Sequence, residues 1–376
     1  MKLRLPIRPP RPRKLAILIA ALTLSACATA SAPSSPAALS MRPTVPRLAP
    51  VPPEERDAAQ QKMMQGKGNA NIYTTLARHP QLADAWTPLS NYLFNASSLT
   101  PRYREMIILR TSWLCWAQYD WGQHSGISQR NGLNEADVAR VAQGPTADGW
   151  TDLERQVLKA ADEVRYNGAA LPETWRALKT ALGEKAATEA VMTAAQYQMT
   201  SMLLNSAGVQ PDANVRYRLP ASLAAPAPAS RPARGVAGRP PGEALAVSPA
   251  VAQGLATLDQ GLAQAGLSAR ARAILALRTD WLSHADAEWS RRLGEAKGAG
   301  LSSEEISRIA RGPSAKGWSE PEQALLLAAD DLRREAFVTD ATWTMLARHY
   351  DKRTLMEILY AVGDATLAAV ASDSFT

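Results

Sequence analysis

The sequence predicts an all-α protein in which one helical-bundle domain occurs twice in tandem. Residues 99 to 205 align without a gap onto residues 267 to 373 at a constant offset of 168. Apolar residues recur at helical spacing, and Ala, Leu, Met and Glu are the dominant residue types. No run shows the sustained period-two alternation of a half-buried strand. Residues that begin and end helices also fall at matching places in both copies. These three observations together predict two domains of one fold.

The repeat is clearest where Leu133 to Trp175 aligns with Leu301 to Trp343. Identity at sixteen ungapped positions is beyond chance. The first-copy residues at these positions are Leu133, Arg140, Ala142, Gly144, Pro145, Ala147, Gly149, Trp150, Glu154, Leu158, Ala160, Ala161, Asp162, Arg165, Thr174 and Trp175.

The second copy has lost polar residues while keeping tryptophans. Glu105 is replaced by Ala273, Cys115 by Ser283 and His124 by Arg292. The residues Trp113, Trp121, Trp150 and Trp175 return as Trp281, Trp289, Trp318 and Trp343. Because the scaffold is retained and the polar centre is not, we expect any chemistry to belong to the first copy.

Residues 1 to 26 have the composition of an export signal. Six basic residues precede ten apolar or small residues from Leu15 to Leu24, too few to span a bilayer as a helix. The segment ends in Leu24-Ser25-Ala26-Cys27, which resembles the lipobox of bacterial lipoproteins. That resemblance implies acylation of Cys27 and an anchor on the periplasmic side of the envelope, and Ala28 favours the outer membrane. A plain signal peptide with a chance cysteine remains the alternative.

The charge argues against a nucleic-acid-binding protein, and the cysteine content argues against a disulfide-stabilised one. The formal net charge of +7 includes the six basic residues of the leader, so the mature chain is near +1. A clustered basic face is therefore not expected, and neither is nucleic-acid binding. Cys27 and Cys115 are the only two cysteines. With Cys27 carrying lipid, Cys115 has no partner for an intramolecular disulfide, and the fold must depend on its core.

Composition divides the chain into five segments. Stretches rich in Ala, Ser and Pro that have little to bury predict flexible connections. The predicted segments are 1–26 signal peptide, 27–47 flexible tether, 48–216 first domain, 217–245 Pro/Ala-rich linker and 246–376 degenerate second domain.

Capping residues predict where several helices begin and end. Thr151-x-x-Glu154 and Ser319-x-x-Glu322 are capping boxes, each directly after Gly-Trp. Thr100-Pro101 offers an N-cap followed by proline at the first helical position. The pairs Gly144-Pro145 and Gly312-Pro313 end the preceding helices, because proline cannot continue a helix and glycine tolerates the left-handed exit.

Three motifs of the first copy resemble one known family. They are RYREMIILRTSWLCWAQYDWGQH at Arg102 to His124, the AxxPxLxxAW pattern at Ala77 to Trp86, and QYQMTSMLLNSAGVQ at Gln196 to Gln210. Together they resemble the carboxymuconolactone decarboxylase and alkylhydroperoxidase-D-like family. The resemblance covers about Leu48 to Asp212 and, more weakly, Ala246 to Asp373. It implies AhpD-like helical bundles, a decarboxylase or peroxidase type of activity, and homo-oligomeric rings in which the second copy substitutes for a partner subunit.

The peroxidase branch of that family has a Cys-x-x-Cys pair before its histidine, and this sequence does not. The two cysteine positions, counted back from His124, hold Ala117 and Asp120. Thiol peroxidation needs a thiolate and a resolving partner. Cys115 lies nine residues before His124 and, on a continuous helix, would point about 180° away. A conventional dithiol mechanism is therefore not expected.

Glu105, Asp120 and His124 are the candidate catalytic residues. Asp120 and His124 are four residues apart, so the carboxylate would share a helical face with the imidazole, orient it and raise its pKa. Such a pair suits general acid/base catalysis on a carboxylated or enolisable substrate. The alternative is a structural ion pair, which the acidic Glu288 at the Asp120 position of the second copy favours.

The role of Glu105 depends on whether it reaches His124. On one straight helix their separation of nineteen positions would span roughly 28 Å. Thr111-Ser112 could cap a second helix and interrupt the first. The family resemblance implies that the two side chains converge, with Glu105 as proton relay or orienting base; otherwise Glu105 is a surface carboxylate.

Trp116, Tyr119 and Cys115 are the candidates for a substrate pocket. Trp116 and Tyr119 are replaced by His284 and Ala287 in the copy that lost the site, whereas Trp113 and Trp121 recur and are expected in the core. No spacing of His, Cys or carboxylates predicts a metal site, and no cofactor is expected.

Two functions of different classes follow. The first is an envelope enzyme acting on an unknown small molecule, by decarboxylation or isomerisation or by a family-type antioxidant reaction through a one-cysteine route. The second is a non-catalytic binding or assembly module on the same fold. Whether Glu105, Asp120 and His124 meet in one concave pocket distinguishes them.

Overall fold

A computed structural model describes residues 42–220 and 240–375. The predicted signal peptide, Cys27, most of the tether and the centre of the linker lie outside these residues. The described residues are helical and contain no strand. The all-α prediction is therefore confirmed, and both repeats lie in one compact unit.

The first copy contains nine α-helices: α1 (Ala58–Met64), α2 (Asn71–Leu76), α3 (Pro80–Asn91), α4 (Pro101–Leu114), α5 (Gln118–Gln129), α6 (Glu135–Gln143), α7 (Asp152–Asn167), α8 (Pro172–Leu182) and α9 (Glu184–Ala207). A single 3₁₀ turn, Pro53–Glu55, precedes them, and a π-helical turn, Tyr92–Ala96, extends α3.

The second copy contains α10 (Pro241–Ala244), α11 (Pro249–Ala263), α12 (Ala269–Ser283), α13 (Asp286–Gly298), α14 (Ser303–Arg311), α15 (Glu320–Glu335), α16 (Asp340–Ala347) and α17 (Lys352–Ser374). The helices α11 to α17 follow the order of α3 to α9, as the repeat predicts. The π turn after α3 has no counterpart, because α11 is α-helical throughout.

The predicted helix ends are confirmed. Thr151 and Ser319 begin α7 and α15 with complete capping boxes. The Thr100 side chain accepts a hydrogen bond from the Tyr103 N–H at the start of α4. The glycines Gly144 and Gly312 follow α6 and α14 with φ of 94° and 92°, a region that favours residues without a Cβ.

The helix is interrupted between α4 and α5, at Cys115 to Ala117. This interruption corrects two expectations. The helix does not run continuously from Cys115 to His124, and Thr111-Ser112 lies within α4 rather than at the break. Trp116 takes a left-handed conformation with φ of 51°, and His284 at the aligned position has φ of 55°. A non-glycine residue in this region reverses the chain at some conformational cost. The same bend therefore recurs in both copies.

Equivalent helices of the two copies pack against each other. Helix α9 packs along α17, and α3 packs along α11. A Cβ at Gly254 would lie 2.8 Å from the Leu89 Cβ, so glycine allows α3 and α11 to approach closely. Such pairing of like with like is the geometry of a two-fold interface.

Arginines of the two copies cross this interface reciprocally. The Arg165 guanidinium donates to the backbone oxygens of Arg333 and Arg334, at 2.7 and 2.8 Å. The Arg333 guanidinium donates to the oxygens of Arg165 and Tyr166, both at 2.7 Å. Each arginine thus binds the end of the helix that carries the other, where carbonyls lack helical partners. The two repeats contact each other as a dimer's subunits would.

Helix α17 is long and apolar enough to cross a membrane by length and composition. It has 23 residues, and its most apolar window has a mean hydropathy of 1.4. Of that window, 94% is buried against the rest of the fold. In this structure α17 serves as a core helix.

Candidate functional site

The first copy encloses a cavity of about 840 Å³ that is open to solvent on one side. Helices α2, α3, α5 and α9, the π turn and the segment after α9 form its wall. The residues that line it include Asn69, Asn71, Tyr73, Trp86, Asn91, Phe94, Tyr119, Asp120, Gln123, His124, Tyr197, Asp212 and Asn214. Its volume lies within the range usual for small-molecule sites.

Glu105 and His124 converge beside this cavity. The bend at Trp116 brings α5 back along α4, so the Glu105 carboxylate Oε2 lies 2.8 Å from the His124 Nδ1. The other oxygen, Oε1, accepts from the Arg104 guanidinium at 3.2 Å. Glu105 is fully buried, whereas His124 reaches the cavity wall. The separation expected for a single straight helix does not apply, because two helices carry the pair.

Two aromatic rings fix the plane of the imidazole. Phe94 and Tyr197 each meet it edge-on, with ring centroids 5.6 and 5.1 Å away. Since a carboxylate only accepts hydrogen bonds, Nδ1 donates to Glu105 and Nε2 carries the lone pair. The imidazole is thereby held in the tautomer of a general base. The π turn supplies Phe94, and this type of turn is frequent at functional sites.

Asp120 lies on the same face of α5 as His124 but does not orient it. Its carboxylate accepts a hydrogen bond from the Ser201 hydroxyl at 3.1 Å, whereas the imidazole is bonded to Glu105. The prediction that Asp120 orients the ring is therefore wrong. Burial raises the pKa of Asp120 from 3.8 to about 6, against the opposing effects of His124 and Ser201. Asp120 can thus carry a proton near neutral pH.

Asp212 joins three parts of the cavity wall and was missed by the sequence analysis. One carboxylate oxygen accepts from the Asn71 backbone N–H at 2.8 Å. The other accepts from the Tyr119 hydroxyl at 3.0 Å and from the Gln123 amide. The adjoining segment 211–214 is irregular and has no periodic pattern that points to a site. Its only available signal was its place directly after the QYQMTSMLLNSAGVQ motif.

Of the three predicted pocket residues, only Tyr119 lines the cavity. Trp116 and Cys115 are buried in the hydrophobic core outside it, so their prediction as pocket residues is wrong. The cause is the bend, which turns the side chains of residues 115 and 116 away from the face of α5. Trp113 and Trp121 are buried in the core, as predicted.

We expect Cys115 to react slowly with hydrogen peroxide. It is a free, fully buried cysteine, and burial raises the pKa of its thiol despite the opposing charges of Arg165 and Arg42. The thiolate is the reactive form, so both its population and its access are low. Mass spectrometry with a sulfenic-acid trap measures the rate. Rapid labelling with catalytic turnover of peroxide would instead establish a one-cysteine peroxidase.

In the second copy, charged side chains fill the place of the Glu105–His124 pair. Arg292 is buried, with its guanidinium 3.5 Å from the Asp280 carboxylate and 3.6 Å from that of Glu288. Burial raises the pKa of Asp280 to about 7, and burial together with Asp259 raises that of Asp364 to about 7. The second copy therefore keeps groups that titrate near neutral pH, although it has lost the histidine. Arg292 itself cannot serve as a base.

Comparison with known proteins identifies the repeated unit. A family model described as the Carboxymuconolactone decarboxylase family matches residues 80–163 and again residues 249–331. No curated protein matches the chain. Among solved structures, an uncharacterized peroxidase-related protein from Ralstonia eutropha JMP134, titled an alkylhydroperoxidase AhpD core, has 21% identity and a TM-score of 0.37. That match covers 43% of this chain and 87% of that one. The two repeats thus each contain a region that matches the carboxymuconolactone decarboxylase family, at residues 80–163 and 249–331.

Proposed function

We propose that the first copy is an acid/base enzyme that moves a proton at a carbon next to a carbonyl group, as in an isomerase or decarboxylase reaction. The observation that carries the proposal is the 2.8 Å contact between Glu105 and His124 at the wall of a cavity. A base needs an oriented imidazole with a free nitrogen facing the substrate. Glu105 and the two flanking rings provide the orientation, and the cavity provides the space.

In an isomerisation, His124 Nε2 removes the proton on the α-carbon, and the C–H electron pair forms the C=C bond of an enol. The carbonyl π electrons take the proton of Asp120, which becomes a carboxylate while His124 becomes imidazolium. The enol O–H then returns its proton to Asp120, and the imidazolium gives its proton to a carbon other than the α-carbon. Both side chains thereby regain their starting forms. Glu105 stabilises the imidazolium without reacting. The raised pKa of Asp120 suits it to donate a proton near neutral pH.

Hydrogen–deuterium exchange at the α-carbon of small ketones and lactones in D₂O, followed by NMR, tests this proposal. We expect exchange above the uncatalysed rate, falling as the pH rises above about 6, where Asp120 loses its proton. In Asp120→Asn the fall near pH 6 should disappear together with most of the rate. Exchange no faster than in buffer, with small molecules still bound in the cavity, would favour the binding-module function instead.

Asp120→Asn should also change how stability depends on pH. In the folded protein the pKa of Asp120 is about 6, above its ordinary 3.8, so its contribution is fully present below about pH 4 and is lost as the pH rises through 6. The amide side chain of the variant does not titrate, so the variant does not lose this contribution to stability as the pH rises. Urea unfolding should therefore show the variant to be more stable than the wild type at pH 8, with a smaller difference at pH 4. The exposed Asp148→Asn is the matched control, and an equal shift there would contradict the assignment.

We further propose that the enzyme is lipid-anchored in the bacterial envelope. The Leu24-Ser25-Ala26-Cys27 sequence and the preceding basic and apolar residues support this. Intact-mass analysis of membrane fractions should show a mature chain that begins at an acylated Cys27, and Cys27→Ala should release the protein from the membrane. A soluble mature chain with another N-terminus would contradict the proposal.

The second copy is proposed to substitute for the partner subunit of a homodimer. The reciprocal Arg165 and Arg333 contacts support this. Glutamates at equivalent places add to it, because Glu189 accepts from the Ser248 hydroxyl at 2.9 Å and Glu357 bonds His79 at 2.9 Å across the two copies. Any further homo-oligomer would then form from other surfaces.

A further inference from the structure

The cavity wall offers no lysine or arginine to an anionic ligand. Over residues 42–220 and 240–375, no lysine or arginine belongs to the cavity lining. The nearby Arg104 guanidinium lies over the Phe94 ring, 4.8 Å from its centroid, and pairs with Glu105. Its charge is therefore already engaged. The hydrogen-bonding groups that remain on the wall are mainly amides, those of Asn69, Asn71, Asn91, Gln123 and Asn214.

The cavity wall carries two carboxyl groups. Asp120 and Asp212 both line the cavity. A bound anion would lose its hydration beside these groups without gaining a lysine or arginine partner, which opposes binding.

The remaining wall suits a flat ring with polar substituents. The aromatic side chains of Trp86, Phe94, Tyr73 and Tyr197 supply apolar surface. Amide groups can donate to and accept from hydroxyl and carbonyl oxygens without favouring either charge. A wall of aromatic rings and amides thus matches a neutral molecule that has both an apolar face and several oxygens.

We propose that the cavity selects an uncharged, oxygen-bearing cyclic carbonyl compound, a ketone or lactone, and rejects its carboxylated analogues. This inference rests on the proposed function and names the substrate class of the same site. It also narrows the reaction, because a substrate without a carboxylate cannot be decarboxylated. Isomerisation by proton transfer is the reaction that remains.

Binding of matched probes to the full mature chain tests the inference without requiring turnover. The probes are 4-hydroxyacetophenone and 4-acetylbenzoate, together with γ-butyrolactone and its carboxylated analogue, each titrated by NMR at neutral pH. We expect each neutral probe to bind at least about tenfold more tightly than its carboxylated partner. Equal or tighter binding of a carboxylate would overturn the inference, as would failure of every neutral probe to bind.

A lysine at the cavity mouth should reverse the discrimination. Asn91 is exposed and lines the cavity, so Asn91→Lys places a cation there without disturbing the core. This variant should bind 4-acetylbenzoate about threefold to tenfold more tightly than the wild type does, whereas the control Asn91→Gln should not. No gain in the lysine variant would show that the probes bind elsewhere and would overturn the inference.

The outcome also separates this inference from the proposed function. Neutral probes that bind but exchange no proton would contradict the acid/base proposal and leave the selectivity intact. Exchange on carboxylated probes as fast as on neutral ones would support the acid/base proposal and contradict the selectivity.

Discussion

Replacing His124 by alanine should lower the proton-exchange rate by about 10² to 10⁴-fold, the range typical of a lost general acid or base. No other imidazole lines the cavity in the part of the chain that the structure describes. We do not expect Glu105 to take over, because it does not line the cavity and is paired with Arg104. The rate is measured by NMR in D₂O at several pH values.

Arg292→Ala is the matched control for His124→Ala, because it changes the aligned residue of the second copy. We expect it to leave the exchange rate nearly unchanged, since arginine does not serve as an acid or base there. Circular dichroism and urea unfolding must show both variants to be folded. Equal losses in the two variants would mean that the second copy forms a working half of the site, and an unchanged rate in His124→Ala would remove the histidine from the mechanism.

Replacing Arg110 by alanine should cost about 3 to 5 kcal/mol of unfolding free energy, as expected when one partner of a buried ion pair is removed. The Arg110 side chain is fully buried and contacts Asp162 at 2.5 Å. It also donates to the backbone oxygens of Val141 and Ala142, which end α6. The variant leaves these acceptors unpaired inside the core. Urea unfolding monitored by tryptophan fluorescence measures the loss.

The cost should be greater at pH 8 than at pH 5. Burial raises the pKa of Asp162, so the unpaired carboxyl can take up a proton as the pH falls. Arg278→Ala tests the same design in the second copy, where Arg278 contacts Asp330 at 2.6 Å. Because Asp330 is the more exposed acid, at 20% against 16% for Asp162, we expect a somewhat smaller loss. A loss below about 1 kcal/mol in Arg110→Ala would contradict the burial argument.

The sequence by itself determined the architecture, because the signals for it are local and occur twice. The capping boxes at Thr151 and Ser319 specify helix starts through neighbouring atoms alone, and the structure has both. The glycines Gly144 and Gly312 specify helix ends by their positive φ angles. A gapless repeat needs no long-range information to be recognised. The replacement of His124 by Arg292 could likewise be read directly from the aligned copies.

Only the tertiary structure decided which side chains meet at the site. The bend at Trp116 could not be predicted from a glycine or proline, because the sequence has neither there. An aromatic residue that is packed in the core takes the left-handed conformation instead. That bend brings Glu105 to His124, removes Cys115 and Trp116 from the cavity, and leaves Asp120 to bond Ser201 from α9. Asp212 reaches Tyr119 across 93 positions of sequence. Contacts between distant segments depend on how the helices pack, and helical periodicity specifies which face is buried but not which neighbour it meets.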